Sequence, residues 1–200
     1  MSDTKRTYSS PLRQERKHNT IRSIVENTYR MHSIGVTDIK SIAEASNISV
    51  ATIRKYFPTN EDLFQGCAAH FLEVNKLPEI HKYLHIADFA QKVRAIVTDF
   101  YNFYENTMEL LWLSIRLADQ STVMRNSALQ AEAIVKAAVQ VMLQDQEWIE
   151  ESRKAEIFGY TQSLLHPLFY RTLKTFGHLS GQQCADHTIR AIINLREEHL

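Results

Sequence analysis

The stretch Thr37-Asp38-Ile39-Lys40-Ser41-Ile42-Ala43-Glu44-Ala45-Ser46-Asn47-Ile48-Ser49-Val50-Ala51-Thr52-Ile53-Arg54-Lys55-Tyr56-Phe57 decides the fold. Ile39, Ile42 and Ala43 recur at helical spacing, which predicts a short helix from about Asp38 to Ala45. Ser46-Asn47-Ile48-Ser49 reads as a tight turn, because Asn tolerates the left-handed conformation such turns need. Ser49 is a good N-cap for a second short helix, Val50 to Phe57, which Pro58 ends. Two short helices on a tight turn, residues 38–57, make a helix-turn-helix. In that motif the first helix braces the second, which lies in the DNA major groove with its N-terminal residues at base edges. Ile53 aligns with Ile42 and Ala43 on the packing side. Thr52, Arg54 and Lys55 are expected to be exposed, with Tyr56 at the helix end. A Thr hydroxyl bonds base edges or phosphates, and Arg can bridge a guanine. Lys55 and Tyr56 suit phosphates, which position a protein without specifying sequence.

Outward from this stretch the chain reads as helix almost throughout. Ser10-Pro11 is a helix-start signal, and Ile21, Ile24, Val25, Thr28 and Tyr29 form an amphipathic face. The segment Arg13 to Asn19 has no apolar face and suits either a solvated helical extension or a mobile basic arm. Ser33 to Val36, with Gly35, interrupts the pattern. Thr59 or Asn60 caps a following helix whose first turn holds Glu61 and Asp62, where acids suit the dipole. A boundary is expected around Pro78. Beyond it, apolar stripes predict helices over about 86–105, 109–118, 127–143, 151–176 and 184–195. Of these, 127–143 is apolar nearly all round and is expected to be central, and Pro167 should kink 151–176. The expected fold class is all-α, with a helix-turn-helix domain over 10–58, a connecting helix over 59–77 and a larger helical domain over 78–200.

Composition agrees. The chain has 200 residues, 44% hydrophobic and 23% charged, enough to bury a core. Five Gly and four Pro are too few for a turn-rich β-sandwich or barrel. No apolar run approaches a membrane span, and Met1 to Ser10 lacks the apolar core of a secretory signal. Cys67 and Cys184 stand far apart in no metal spacing, so the expectation is a cytoplasmic protein with free thiols. The net charge is zero, yet residues 1–60 carry ten Lys/Arg against five Asp/Glu. The remainder is acidic by the same margin. A basic head on an acidic body points the first sixty residues at a polyanion.

At Ile21 to Phe64 the sequence resembles the tetracycline-repressor (TetR) family of bacterial transcription regulators. The resemblance rests on Ile21, Ile24, Val25 and Tyr29, then on the quoted stretch, and then on Pro58-Thr59-Asn60-Glu61-Asp62-Leu63-Phe64. The family pattern has a Thr before the second helix, then I-A-x-x-A-G-V-S, x-x-T-L-Y-x-Y/H-F and x-S/N-K-x-x-L. Four positions depart from it. Asn47 stands for the turn Gly, Ser33 for the Gly that ends the first helix, Arg54 for a frequent Tyr, and Asn60 for a phosphate-touching Lys. The DNA-binding positions expected on this basis are Thr37, Ser49, Val50, Ala51, Thr52, Arg54, Lys55, Tyr56 and Asn60.

The resemblance implies a homodimer through the last long helices, about 152–176 and 184–196. It also implies a helical domain holding a small-molecule effector that changes the spacing of the two DNA heads. Candidate lining residues are Tyr101, Tyr104, Trp112, Arg116, Tyr160, His166 and Phe169, which suit a small, mostly apolar ligand with one polar anchor. His81, His85 and Asp88 share a helical face, and Cys67 and His70 stand at i, i+3, but connector and packing roles are expected for them rather than a metal. No nucleophile elbow, Gly-rich phosphate loop or Glu-x-x-His pair occurs, so neither an enzyme nor a cofactor is expected. The expected function is a ligand-responsive regulator, most simply a repressor, on a pseudo-palindromic operator. Two alternatives stand beside it: a DNA-bound interaction factor of the same fold with no small-molecule ligand, and a helical-bundle protein whose corner is structural.

Overall fold

The computed structural model describes residues 11–144 and 146–197. Ser10, the expected N-cap, lies outside them. The chain divides into two compact units, Met1–Val74 and Asn75–Leu200.

The first unit holds four helices: α1 (Pro11–His32), α2 (Ile39–Ser46), α3 (Val50–Tyr56) and α4 (Asn60–Val74). The stretch from Arg13 to Asn19 is the exposed start of α1, a helical extension rather than a separate arm. Ile24 of α1, Ile42 of α2 and Ile53 of α3 are fully buried and meet in one cluster with Ala43, Phe57 and Leu63. Both α1 and α2 end in the same way. The amide of Gly35 donates to the His32 carbonyl and that of Val36 to Met31; the amide of Asn47 donates to Glu44 and that of Ile48 to Ala43. These are Schellman closures, which need a left-handed residue just past the helix. Gly35 (φ 79°) and Asn47 (φ 52°) supply it. The chain thus reaches a glycine closure for α1 two places after Ser33.

His32 is buried at the end of α1, its Nδ1 3.3 Å from the Cys67 sulfur and its ring 5.5 Å from that of Phe64. Burial pushes the His32 imidazole down to about 4 and the Cys67 thiol up to about 12, so both are neutral at pH 7.

The second unit opens with a 3-10 turn, Ile80–His85, and then α5 (Phe89–Arg116), α6 (Thr122–Leu143), α7 (Lys154–Leu165), α8 (Pro167–Thr175) and α9 (Gly181–Glu197). Asp88 caps α5 by accepting from the Gln91 amide. Where the sequence suggests two helices, 86–105 and 109–118, the structure has one of 28 residues. Thr107, polar in sequence, is buried and satisfies its hydroxyl on the Phe103 carbonyl, so the helix runs through without a break. α5 is also the central helix, packing against α6, α8 and α9. The expectation that 127–143 is central fails, because α6 buries only one stripe: Met124, Ala128, Val135, Ala138, Val139 and Met142. The opposite side of α6 carries Leu129, 55% exposed.

The segment 151–176, expected as one kinked helix, is broken. Pro167 has no amide to donate, and His166 is extended and caps α8 with its ring, whose Nδ1 accepts from the Leu168 amide. The carbonyls of Leu164 and Leu165 therefore lose their helical partners. Tyr101 and Tyr104 of α5 replace them, each donating its hydroxyl at 2.9 Å, to Leu164 and Leu165 respectively. Beside this junction Glu105 accepts from the Tyr170 hydroxyl and, at 2.9 Å, from the Lys174 ammonium, which holds its carboxyl below the usual range. Its carboxylate lies close to Gly181, the first residue of α9: a Cβ there would stand 2.8 Å from it.

The buried His32 predicts a pH dependence. The unfolded imidazole takes a proton below about 6.5, whereas the folded one resists until about 4. The unfolded state binds more protons in that interval, so stability falls as the pH drops through it. Relative to His32→Leu, wild-type unfolding free energy should fall by about 3 kcal/mol between pH 7 and pH 4. Urea titrations at stepped pH measure it, and parallel curves for the two proteins would refute the assignment.

Candidate nucleic-acid interface

α3 is presented by its two ends. At the N-terminus Ser49 is extended and its Oγ accepts from the Thr52 amide at 3.2 Å. The Ser49 and Thr52 hydroxyls are also 2.9 Å apart. One helix earlier Asp38 caps α2 by accepting from the Ser41 amide, a bond that holds its carboxyl below the ordinary value. At the C-terminus Phe57 turns into the core, and Pro58 and Thr59 lead into α4. Thr59 and Asp62 form a reciprocal cap. The Thr59 amide and hydroxyl donate to Asp62 Oδ2 at 2.8 and 2.6 Å, and the Asp62 amide donates back to Thr59 Oγ1. These bonds, with a smaller contribution from the charge of Arg54, hold the Asp62 carboxyl below its ordinary value.

Ile53 is fully buried, so the opposite side of α3 faces out. Ala51 and Lys55 are exposed there, as are Ser49 and Asn60 beyond the helix ends. Thr37, Val50, Thr52, Arg54 and Tyr56 are half-buried. Val50 and Tyr56 pack against the core cluster, and the Lys55 ammonium lies 5.6 Å from the Tyr56 ring centroid.

Of the three residues expected to be exposed, Lys55 is, whereas Thr52 and Arg54 are half-buried. The Arg54 guanidinium donates to the Pro58 carbonyl at 3.2 Å and to Asn60 Oδ1 at 2.8 Å. Sequence reading treated Arg54 and Asn60 as separate departures from a pattern, whereas in space they are partners. The available signal was their spacing, six residues across a helix end. Elsewhere in this unit exposed cations include Arg13, Arg16 and Lys17 on the first turns of α1 and Lys40 on α2.

Of the residues proposed from sequence to line an effector cavity, Tyr101, Tyr104 and His166 gather at the junction of α7 and α8. Tyr101 and Tyr104 are buried with their hydroxyls on the α7 carbonyls, and Tyr101 also meets Thr188 Oγ1 at 2.7 Å. His166 is the cap of α8, and Trp112 is half-buried beneath the Arg171 guanidinium, 4.6 Å from its ring centroid. Phe169 is half-buried, while Arg116 and Tyr160 are exposed. A groove of about 860 Å³ lies elsewhere in this unit, among Gln140, Gln144, Glu147, Ile149, Lys154 and Phe158.

Cys67 bonds His32 rather than pairing with His70, which instead contacts Glu73 and the Tyr29 ring. Asp88 is the cap of α5, and His81 and His85 are exposed on the 3-10 turn. Among the described residues no group of three His, Cys, Asp or Glu is placed to hold a metal, and no helix is long and apolar enough to cross a membrane.

No family model matches the sequence, and no curated protein matches it. A solved structure does: HlyIIR carrying alanine substitutions at residues 170–185. The two share 15% identity with a TM-score of 0.54, over 92% of this chain and 98% of that one. At that identity the likeness is one of fold, an all-α TetR-like arrangement that extends well beyond the quoted stretch into the second unit.

The tyrosine junction yields a contrast. Tyr104→Phe leaves the Leu165 carbonyl buried without its donor and should destabilise the chain by about 1–3 kcal/mol. Tyr160→Phe, on the surface, should change stability by less than about 0.5 kcal/mol. Urea unfolding of both variants checks this, and equal effects would mean that the junction contributes nothing.

Proposed function

We propose that this chain, with its all-α TetR-like fold, is a sequence-specific DNA-binding transcription regulator. The observation that carries the reading is the presentation of α3. A seven-residue helix is capped at Ser49, held by Ile53 and Phe57, and turned so that its free side faces outward within a basic segment. That side is the one a helix-turn-helix puts into the major groove. Repression is the simplest output, through occupation of a pseudo-palindromic operator by a homodimer.

The proposed dimer contact lies on residues 152–176 and 184–196. Apolar side chains support it there: Phe176 is 77% exposed, Tyr160 is 49% exposed, and Leu168, Phe169 and Leu173 are half-buried. Two copies related by a two-fold axis would set two α3 helices about one DNA turn apart, roughly 34 Å. An effector acts in this scheme by favouring dimers whose α3 spacing misses successive grooves.

A second reading, a DNA-bound interaction factor of the same fold without a small-molecule ligand, is favoured by one observation. The tyrosines named from sequence as cavity lining are already bonded to helix-end carbonyls.

Binding of the full chain to a random-sequence duplex pool, measured over a salt series, tests the proposal. Affinity should fall as salt rises, with a log–log slope of about −0.9 for each phosphate neutralised. The complex should contain two chains per selected duplex. A chain that binds no duplex at low salt would leave the corner as a packing element and defeat the reading.

A further inference from the structure

We propose that Arg54 and Lys55 have exchanged the roles their chemistry suggests: Lys55 reads a base edge, and Arg54 is a positioning residue that ties α3 to α4. The inference rests on the DNA-binding reading above and specifies how it works.

The geometry begins at Ile53. Successive residues of a helix are about 100° apart, so Thr52 and Arg54 stand about 100° from Ile53. Ala51 and Lys55 stand about 160° from it. Because Ile53 points into the core, the ridge farthest from the core is Ala51 and Lys55, and these are the exposed pair. A groove receiving α3 meets that ridge first.

The flanking side chains are already engaged. Thr52 shares its hydroxyl with the Ser49 cap. Arg54 bridges two points beyond the end of its own helix, the Pro58 carbonyl and Asn60, the first residue of α4. A bidentate guanine contact needs the guanidinium in one fixed plane, and the bonds from its two terminal nitrogens to Pro58 and Asn60 already set that plane. Reading a base with it would break a bond to Asn60 that the fold already makes. Held as it is, Arg54 fixes the angle at which α3 leaves the turn into α4, and its charge still attracts the backbone without reporting sequence.

Lys55 is exposed, and its ammonium lies 5.6 Å from the Tyr56 ring centroid, with no carboxylate or carbonyl bond among the described residues to break before it turns to a base. A lysine ammonium can take guanine O6 and N7, and an alanine methyl can meet the thymine methyl. Ala51 and Lys55 are four residues apart, about 6 Å along the axis. At about 3.4 Å per base pair that spans one to two steps. Each half-site should therefore hold a guanine and a thymine within two steps.

The experiment is selection of bound duplexes from a random pool by the full-length wild type, Lys55→Gln, Arg54→Ala, Arg54→Lys and Asn60→Ala. Circular dichroism confirms folding of each. Glutamine pairs with adenine, so Lys55→Gln should move one preferred base from guanine to adenine, with about 10- to 100-fold discrimination between the two duplexes. Arg54→Ala, Arg54→Lys and Asn60→Ala should enrich the wild-type motif, while affinity for selected and scrambled duplexes falls by similar factors. A base change in either Arg54 variant, or an unchanged motif in Lys55→Gln, overturns the exchange of roles while leaving the DNA-binding reading intact. A wild type that enriches no motif and binds no duplex overturns that reading and this inference with it.

Discussion

A helix of seven residues does not hold itself together in water, because nucleation fixes several residues before any bond repays it. α3 exists because Ile53 is buried against Ile24 and Ile42 and because Phe57 follows it into the same cluster. Everything proposed for the outer face depends on that inward anchor. The direction of Ile53 sets which residues face away, and the Schellman turn at Asn47 sets how α3 leaves α2. Remove the apolar side chain and the capped ends remain, but nothing fixes which way the helix is rotated.

The second unit shows the same dependence of a helix end on a side chain from elsewhere. Pro167 removes an amide, His166 caps the new helix, and the carbonyls left at Leu164 and Leu165 are met by Tyr101 and Tyr104. A buried carbonyl without a donor is costly, so these tyrosines are structural where they stand. Their aromatic bodies fill the space between α5 and α8, packing on Tyr170 at 4.8 and 5.7 Å between centroids. Aromatic composition alone suggested a ligand cavity, and what it did not show is that two of the hydroxyls bond helix-end carbonyls.

The helix-turn-helix was legible in the sequence because its signals are local. The cap at Ser49, the left-handed Asn47 and the inward Ile53 each follow from a residue type at a fixed offset from its neighbours. What escaped depends on distant residues. Apolar stripes suggested separate helices over 86–105 and 109–118, but α5 continues through Glu105-Asn106-Thr107, where Thr107 bonds back within its own helix and Glu105 is met by Tyr170 and Lys174. The His32–Cys67 contact joins residues 35 apart. At the candidate interface, residue chemistry gave Arg54 a free guanidinium, since nothing local announces its bond to Asn60 across Pro58.

The most direct test of the central claim, that the outward side of α3 is the surface that meets DNA, is amide hydrogen exchange of the full-length protein with and without a selected duplex. The account predicts that added protection on binding concentrates in residues 47–60. Binding that protects the basic first turns of α1, around Arg13 to Lys17, and leaves 47–60 unchanged would contradict it.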